Sequence, residues 1–210
     1  MKTIYLIRHS APFVDILNYK DFENTVLWDE FNKNMILSVE GEENAKKLCD
    51  VPSLKSLDAV YASNSARAIG TAKYISEVSN IPLMLDDRIN ERSFGVNYIK
   101  ELPEDYSVRS FNDKNFKMEN GESLNELDSR FNLFIDDILN SDYDNVALVI
   151  HGIILLSFLQ NNCDFNADGK KFLIKYNDNI ILDGNPKNPD IYKVEFDNKK
   201  VVNISNIEIN

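Results

Sequence analysis

The sequence predicts an α/β fold, a mostly parallel central sheet flanked by helices in a three-layer sandwich, and three observations predict it. Short apolar, β-favouring runs at Ile4 to Ile7, Ala59 to Ala62 and Val146 to Ile150 are too short to span a membrane and read as buried strands. Each run ends in polar or cationic residues: Arg8 and His9, then Ser63 to Arg67, then His151 and Gly152. Between the runs lie segments of helical period, the clearest being Leu124, Leu127, Phe131, Phe134, Ile135 and Ile138.

Taken in order, the first strand is followed by residues 11–37, aromatic and polar without a period, which read as part of a substrate rim or lid. Ser38 is expected to cap a helix running to about Cys49, with Pro52 ending it. A strand at 57–62 leads into a helix at 65–78, whose first turn holds Arg67 and whose Ile69, Ala72 and Ile75 can face the sheet. Residues 81–85 form a short third strand, and 86–121 a second irregular insertion, its lid stretch at about 88–120, carrying Arg88, Glu91, Arg92, Lys100 and Arg109. Two such insertions over the carboxyl edge of the sheet would make a lid. Ser123 and Glu126 form a capping box for a helix over 121–141. Residues 153–159 read as a helix, and 180–182, 191–196 and 201–207 as short strands, the last two joined by a turn at Asp197 and Asn198. With no repeats and no linker, residues 1–210 are expected to form a single domain.

A chain with 43% hydrophobic and 27% charged residues belongs with folded water-soluble proteins. Its net charge of −11 argues against nucleic acid or an anionic membrane as a partner, since both reward a basic face. An anionic small molecule is compatible with it, because surface charge is screened beyond about 8 Å at physiological salt while arginines in a pocket act at contact distance. Cys49 and Cys163 show no metal or disulfide spacing, which suits a reducing compartment. Met1 leads almost at once into the first strand, so no cleavable leader is expected and a cytoplasmic location is.

If the three strands are neighbours, their spacing of ~4.8 Å brings His9, Arg67 and His151 within reach of one small ligand at the sheet edge where α/β folds bind ligands. The stretches LIRHS (6–10), ASNSARAIGTA (62–72), INERSFG (89–95), NGESLNEL (120–127) and VIHG (149–152) resemble, in order and spacing, the motifs of the histidine phosphatase superfamily, the phosphoglycerate-mutase-like proteins. The resemblance spans about residues 1–155. It implies a cofactor-independent phosphatase acting on a small phosphate ester, with His9 as the nucleophile and Glu91 as the acid for the leaving oxygen. Arg8, Arg67 and His151 would be the other catalytic groups, and Arg8, Arg67, His151, Ser10 and Gly152 the phosphate contacts. Ser10 stands where the family usually has glycine, and its side chain either crowds the phosphate or adds a hydrogen bond to it.

The chemistry is coherent at the level of residue types. Phosphoryl transfer to an imidazole needs a neutral ring with one nitrogen facing phosphorus, and planar permanent cations such as Arg8 and Arg67 suit the equatorial oxygens. His151 is expected to donate from the far side. Ser63 and Ser123 read first as helix caps, and Arg130 as structural. A two-histidine, one-carboxylate metal site from His9, His151 and Glu91 is disfavoured because Arg8 and Arg67 would repel the cation, so no metal and no cofactor are expected. Two rivals stand beside hydrolysis. A phosphoglycerate mutase is opposed by the stretch after His9 and by Phe94, where the resemblance leads one to expect tyrosine; a phosphate-binding regulatory module has only Ser10 in its favour. The leaving group and the oligomeric state are not legible in the sequence.

Overall fold

The structure, a computed structural model, describes residues 1–13, 29–167 and 171–209. Most of the first expected lid, residues 14–28, lies outside the described residues. The elements are β1 (Lys2–Arg8), α1 (Asp29–Asn34), α2 (Val39–Lys46), β2 (Ala59–Ala62), α3 (Ala66–Ser79), β3 (Leu83–Leu85), α4 (Tyr106–Asn112), α5 (Leu124–Asn140), β4 (Asn145–Ile150), α6 (Gly152–Asn162), β5 (Asp164–Ala167), β6 (Phe172–Tyr176), β7 (Asn179–Gly184), β8 (Asp190–Asp197) and β9 (Lys200–Ile207).

The central sheet runs β3-β2-β4-β1-β8-β9. Its first four strands are parallel, and β8 and β9 add an antiparallel edge, so the sheet is mixed. Alternation along each strand divides the core in two. Ile4, Leu6, Val146, Leu148 and Ile150 pack with α5 and α6, whereas Tyr5, Ile7, Val60, Ala147 and Val149 pack with Ala68, Ala72 and Ile75 of α3 on the other face. Each fully buried Ile or Leu contributes roughly 1.5–3 kcal/mol against exposure. These two layers fix the register that brings Arg8 opposite Ile150 and Ala62 opposite Val149.

Helix boundaries reflect local chemistry. Ser38 Oγ accepts from Gly41 N and starts α2, which tightens to a 3-10 turn over Lys47–Asp50 before Pro52. Asn80, in the left-handed region at φ 57°, ends α3. Ser123 and Glu126 make the reciprocal capping box of α5. The β8–β9 connection uses Asn198 and Lys199 at positive φ, a two-residue turn that matches strand twist.

Two regions differ from expectation. Residues 164–167, 172–176 and 179–184 form a separate three-stranded antiparallel sheet, β5-β6-β7, of which only 180–182 were expected as strand. Phe165 and Phe172 reach Phe111 of α4 with ring centroids 5.3 and 5.5 Å apart, and Ile174 and Leu182 join the α5–α6 core. Short strands carrying alternate polar residues give a weak local signal, and burial against α4 is what stabilises them. The second insertion is also less irregular than expected: it holds 3-10 turns at Asp87–Ile89 and Ile99–Glu101 and the helix α4.

Candidate active site

Arg8, His9 and His151 leave the carboxyl ends of adjacent β1 and β4, and Arg67 lies in the first turn of α3 just beyond β2. His9 is held by its own backbone, with its N–H donating to Ile150 O at 2.9 Å and its carbonyl accepting from Asn188 Nδ2 at 2.7 Å. The two imidazole rings meet edge to face with centroids 5.0 Å apart.

Arg67 sits between them. Its Nε is 3.0 Å from His9 Nε2, its Nη2 is 3.0 Å from His151 Nδ1, and its Nη1 donates to the carbonyl of Asn32. A guanidinium has only donors, so both ring nitrogens accept. The proton of neutral His9 is therefore on Nδ1, donated to Ser10 O at 2.7 Å, and that of neutral His151 is on Nε2, donated to Ser63 Oγ at 2.6 Å. Burial, then the positive charges of Arg67 and Arg8, pushes His9 well below the ordinary imidazole value. For His151, burial comes first, followed by His9, Arg67, Arg8 and Arg130. Both rings are thus neutral at pH 7.

Arg8 donates from Nη1 to the carbonyl of Pro186, while its buried Nε has no hydrogen-bond partner among the described residues. A buried guanidinium N–H without a partner keeps a donor unused. Gly152, the first residue of α6, lies against this group: a Cβ there would stand 3.4 Å from Arg8 Nε and Nη2. Burial lowers the pKa of both arginines, and Glu91 is the first charge to oppose that. The Glu91 carboxylate accepts from Arg92 N at 3.0 Å and from Ile153 N, in the first turn of α6, at 3.2 Å. These bonds hold it beside His151 at the floor of a cleft of about 530 Å³, which is also lined by Arg67, Arg130 and a ring of charged and amide side chains.

The structure thus brings together Arg8, His9, Arg67, Glu91, His151 and Gly152. Ser10, expected at the phosphate, is fully buried: its Oγ donates to Gly41 O at 2.7 Å and its N–H to Thr71 Oγ1 at 2.9 Å, so both of its donors are engaged in tying β1 to α2 and α3. Ser63 also differs from the cap reading. Ser65 is the N-cap residue of α3, and Ser63 instead serves His151.

Further residues support the site: Asn188, Pro186, Gly95 and Gly121 were not singled out from the sequence, whereas Arg92 was named in the second insertion and Arg130 was read as structural. Asn188 and Pro186 reach Arg8 and His9 from the loop before β8, far along the chain and without a recognisable motif. Arg92, 2% exposed, donates to Glu122 O, Ser110 Oγ and Phe116 O and lies over the Tyr106 ring, organising the second insertion from within. Arg130 grips Glu122 with two bonds of 2.6 and 2.9 Å. Gly95 and Gly121 bring the two ends of the insertion together: a Cβ on Gly95, at φ 71°, would lie 2.2 Å from Gly121 N.

The model of the histidine phosphatase superfamily, branch 1, matches residues 4–194. The chain belongs to this family. It is similar to phosphoserine phosphatase 1 of Hydrogenobacter thermophilus, 25% identical over 166 residues that cover 70% of this chain and 78% of that protein. A second protein of the same bacterium, named for the same activity, is 28% identical over 159 residues, 72% of this chain and 74% of its own. In fold it resembles a mycobacterial glucosyl-3-phosphoglycerate phosphatase solved with inorganic phosphate (TM-score 0.70, 15% identity, 100% of this chain and 97% of that one). It also resembles a phosphoglycerate mutase from Bacillus anthracis (TM-score 0.67, 19% identity, 98% and 92%). Family membership and the phosphatase-named relatives support a phosphoric monoester hydrolase. Among the described residues, no group of three His, Cys, Asp or Glu is placed to hold a metal ion, and no helix is long and apolar enough to cross a membrane.

Proposed function

We propose that this enzyme hydrolyses a small phosphorylated metabolite through a phosphohistidine on His9, with Glu91 as the general acid. The observation that carries the reading is the bridging Arg67, whose guanidinium donates at 3.0 Å into the unprotonated nitrogens of both histidines. An entering phosphoryl group takes those donors for its oxygens and releases the His9 Nε2 lone pair for attack on phosphorus. The Ser10 carbonyl holds Nδ1–H throughout, so the nucleophile keeps one tautomer. Arg8 supplies the second cation through its free Nε, and Gly152 leaves room for it. Glu91, fixed at the start of α6, delivers a proton to the departing oxygen, then draws one from the water that opens the phosphohistidine.

The cleft supports a small, polar leaving group over an apolar one. Asp29, Lys33, Asn64, Asn90, Ser93 and Lys117 are among its lining residues. Ser93 Oγ donates to Asp29 Oδ2 at 2.8 Å, joining the second insertion to α1 across the rim, which supports a lid role for both insertions. A cytoplasmic place and a small-molecule partner, without nucleic acid, membrane or metal, complete the reading.

The test is release of inorganic phosphate from a panel of metabolite phosphates, beginning with phosphoserine because the Hydrogenobacter relatives are named for it, run beside 3-phosphoglycerate isomerisation. Release from at least one member, with an acid-labile and base-stable phosphoenzyme lost in His9→Ala, is expected. Isomerisation outrunning hydrolysis, or label recovered on serine, would overturn the proposal.

A further inference from the structure

We propose that Asp190 is a positioning residue for the phosphate site: its buried carboxylate offsets the Arg8 charge without bonding to it, and so keeps the hold on phosphate loose enough for release. The proposal rests on the reading of Arg8, His9, Arg67 and His151 as that site, and its ground is a cross-strand pair. Asp190, the first residue of β8, stands directly opposite Arg8, the last residue of β1, in the antiparallel register. Side chains so paired leave the same face of the sheet, with Cβ atoms about 4.5–5.5 Å apart. Asp190 is 6% exposed, so its charge acts through protein rather than through bulk water.

A carboxylate in that place would ordinarily close on the guanidinium as a two-bond ion pair. Here its lone pairs are spent elsewhere. Oδ1 accepts from Asn206 Nδ2 at 2.9 Å, and Oδ2 accepts from the Tyr192 hydroxyl at 3.0 Å and from Lys187 N at 3.3 Å. Burial, then the Asp190 charge, raises the Tyr192 phenol, so its hydrogen stays in place and is given to the carboxylate. Arg8 in turn gives Nη1 to the Pro186 carbonyl and keeps Nε without a partner among the described residues. Lys187 lies in the same loop as Pro186 and Asn188, which grip Arg8 and His9, so one carboxylate both anchors that loop and faces the cation.

The charges around the two arginines then balance. Arg8 and Arg67 supply two positive charges, Glu91 and Asp190 two negative ones, and both histidines are neutral. Glu91 bears on both arginines, whereas Asp190 bears on Arg8. Two uncompensated guanidinium groups would bind product phosphate as firmly as substrate, and such uniform binding makes release the slow step.

The sign of one variant's effect separates this role from a merely structural one. Asp190→Asn removes the charge and keeps the shape: its oxygen can stay with Lys187 N and the Tyr192 hydroxyl, and its NH₂ then faces Asn206, whose amide can turn to accept. Inorganic phosphate, titrated calorimetrically into the whole protein at about pH 8, should bind this variant roughly 5–50-fold more tightly than wild type. Its inhibition of p-nitrophenyl phosphate hydrolysis should sharpen by the same factor. A carboxylate that only anchored the loop would give weaker binding when replaced. Asp190→Ser, neutral and smaller, reads the same sign should the amide variant fail to fold. Glu195→Gln removes a charge from the same strand, opposite Thr3 and far from Arg8, and should leave phosphate affinity unchanged. Unchanged or weakened phosphate binding in the folded neutral variant, or an equal gain in Glu195→Gln, overturns the role of Asp190 and leaves the phosphatase reading in place. Wild-type protein that binds no phosphate overturns the phosphate-site reading, and the inference with it.

Discussion

Glu91→Gln separates proton delivery from mere positioning, and the structure says how large each effect should be. Both carboxylate oxygens of Glu91 accept backbone N–H groups, from Arg92 at 3.0 Å and Ile153 at 3.2 Å. A glutamine has one acceptor oxygen, so its NH₂ must face one of these N–H donors, and one hydrogen bond is lost or the side chain turns away. That costs about 1–3 kcal/mol and applies to any substrate. Loss of the acid is a separate cost of ~10²–10⁴ in rate, about 2.7–5.4 kcal/mol, and it falls on substrates whose departing oxygen is strongly basic. The ratio of phosphoenzyme formation rates for an alkyl phosphate and p-nitrophenyl phosphate cancels the shared positioning cost. Single-turnover quenching of labelled phosphoenzyme should show this ratio falling by ~10²–10⁴ in the variant. Formation must be the step measured, because on the proposed mechanism breakdown of the phosphohistidine is common to both substrates and also uses Glu91. Equal slowing for the two substrates would reduce Glu91 to a pocket-shaping residue.

Neighbouring features give further expected outcomes. Arg92→Met strands three acceptors behind the second insertion; a loss of roughly 3 kcal/mol should lower Tm by about 6–12 °C, and a Tm within a degree of wild type would refute the role assigned to Arg92. On the proposed reading, in which Arg8 and Arg67 meet the anion's charge, activity should survive EDTA; loss restored by zinc or manganese would revive a metal mechanism. The buried neutral histidines also predict a pH dependence of stability. Their folded pKa values lie below the unfolded value of about 6.5, so the unfolded chain binds more protons as pH falls through that value, and stability declines below it with a slope of up to ~1.4 kcal/mol per pH unit for each ring. Near pH 7.5 the curve should level off, and above about pH 8 it should fall, because burial raises the Cys163 thiol to about 12 while the unfolded chain loses that proton at about 8.5. Urea unfolding at pH 5.0–8.0 checks this: His151→Asn should remove about one proton from the slope, and an unchanged slope would contradict burial of a neutral His151. The carboxylate Glu126, held down to about 2 chiefly by Lys117, acts in a more acidic window and does not obscure the effect.

The sequence by itself determined the parallel core of the sheet and the residues at its active edge. Runs such as Ile4 to Ile7 and Val146 to Ile150 are apolar at every position because both faces of the sheet are covered, a pattern no exposed element needs. A residue directly after such a strand must emerge at its carboxyl end, so Arg8, His9, Arg67 and His151 were legible as candidates for one sheet edge, and the ordered motifs extended this to Glu91. The α5 helix was equally legible, since its cap and its apolar stripe are both local. Tertiary structure alone decided what each side chain does there. Ser10 comes directly after His9, yet its hydroxyl is drawn to Gly41 because α2 packs at that point. Ser63, a plausible cap by position, is turned to His151 by a strand pairing 88 residues away. The tautomers of the two histidines depend on Arg67 entering between them, and the clamp of Pro186 and Asn188 depends on β8 joining the sheet beside β1. Patterns of hydrophobic period record burial along one element, whereas hydrogen bonds between elements leave no period, and only the folded chain determines which donor meets which acceptor.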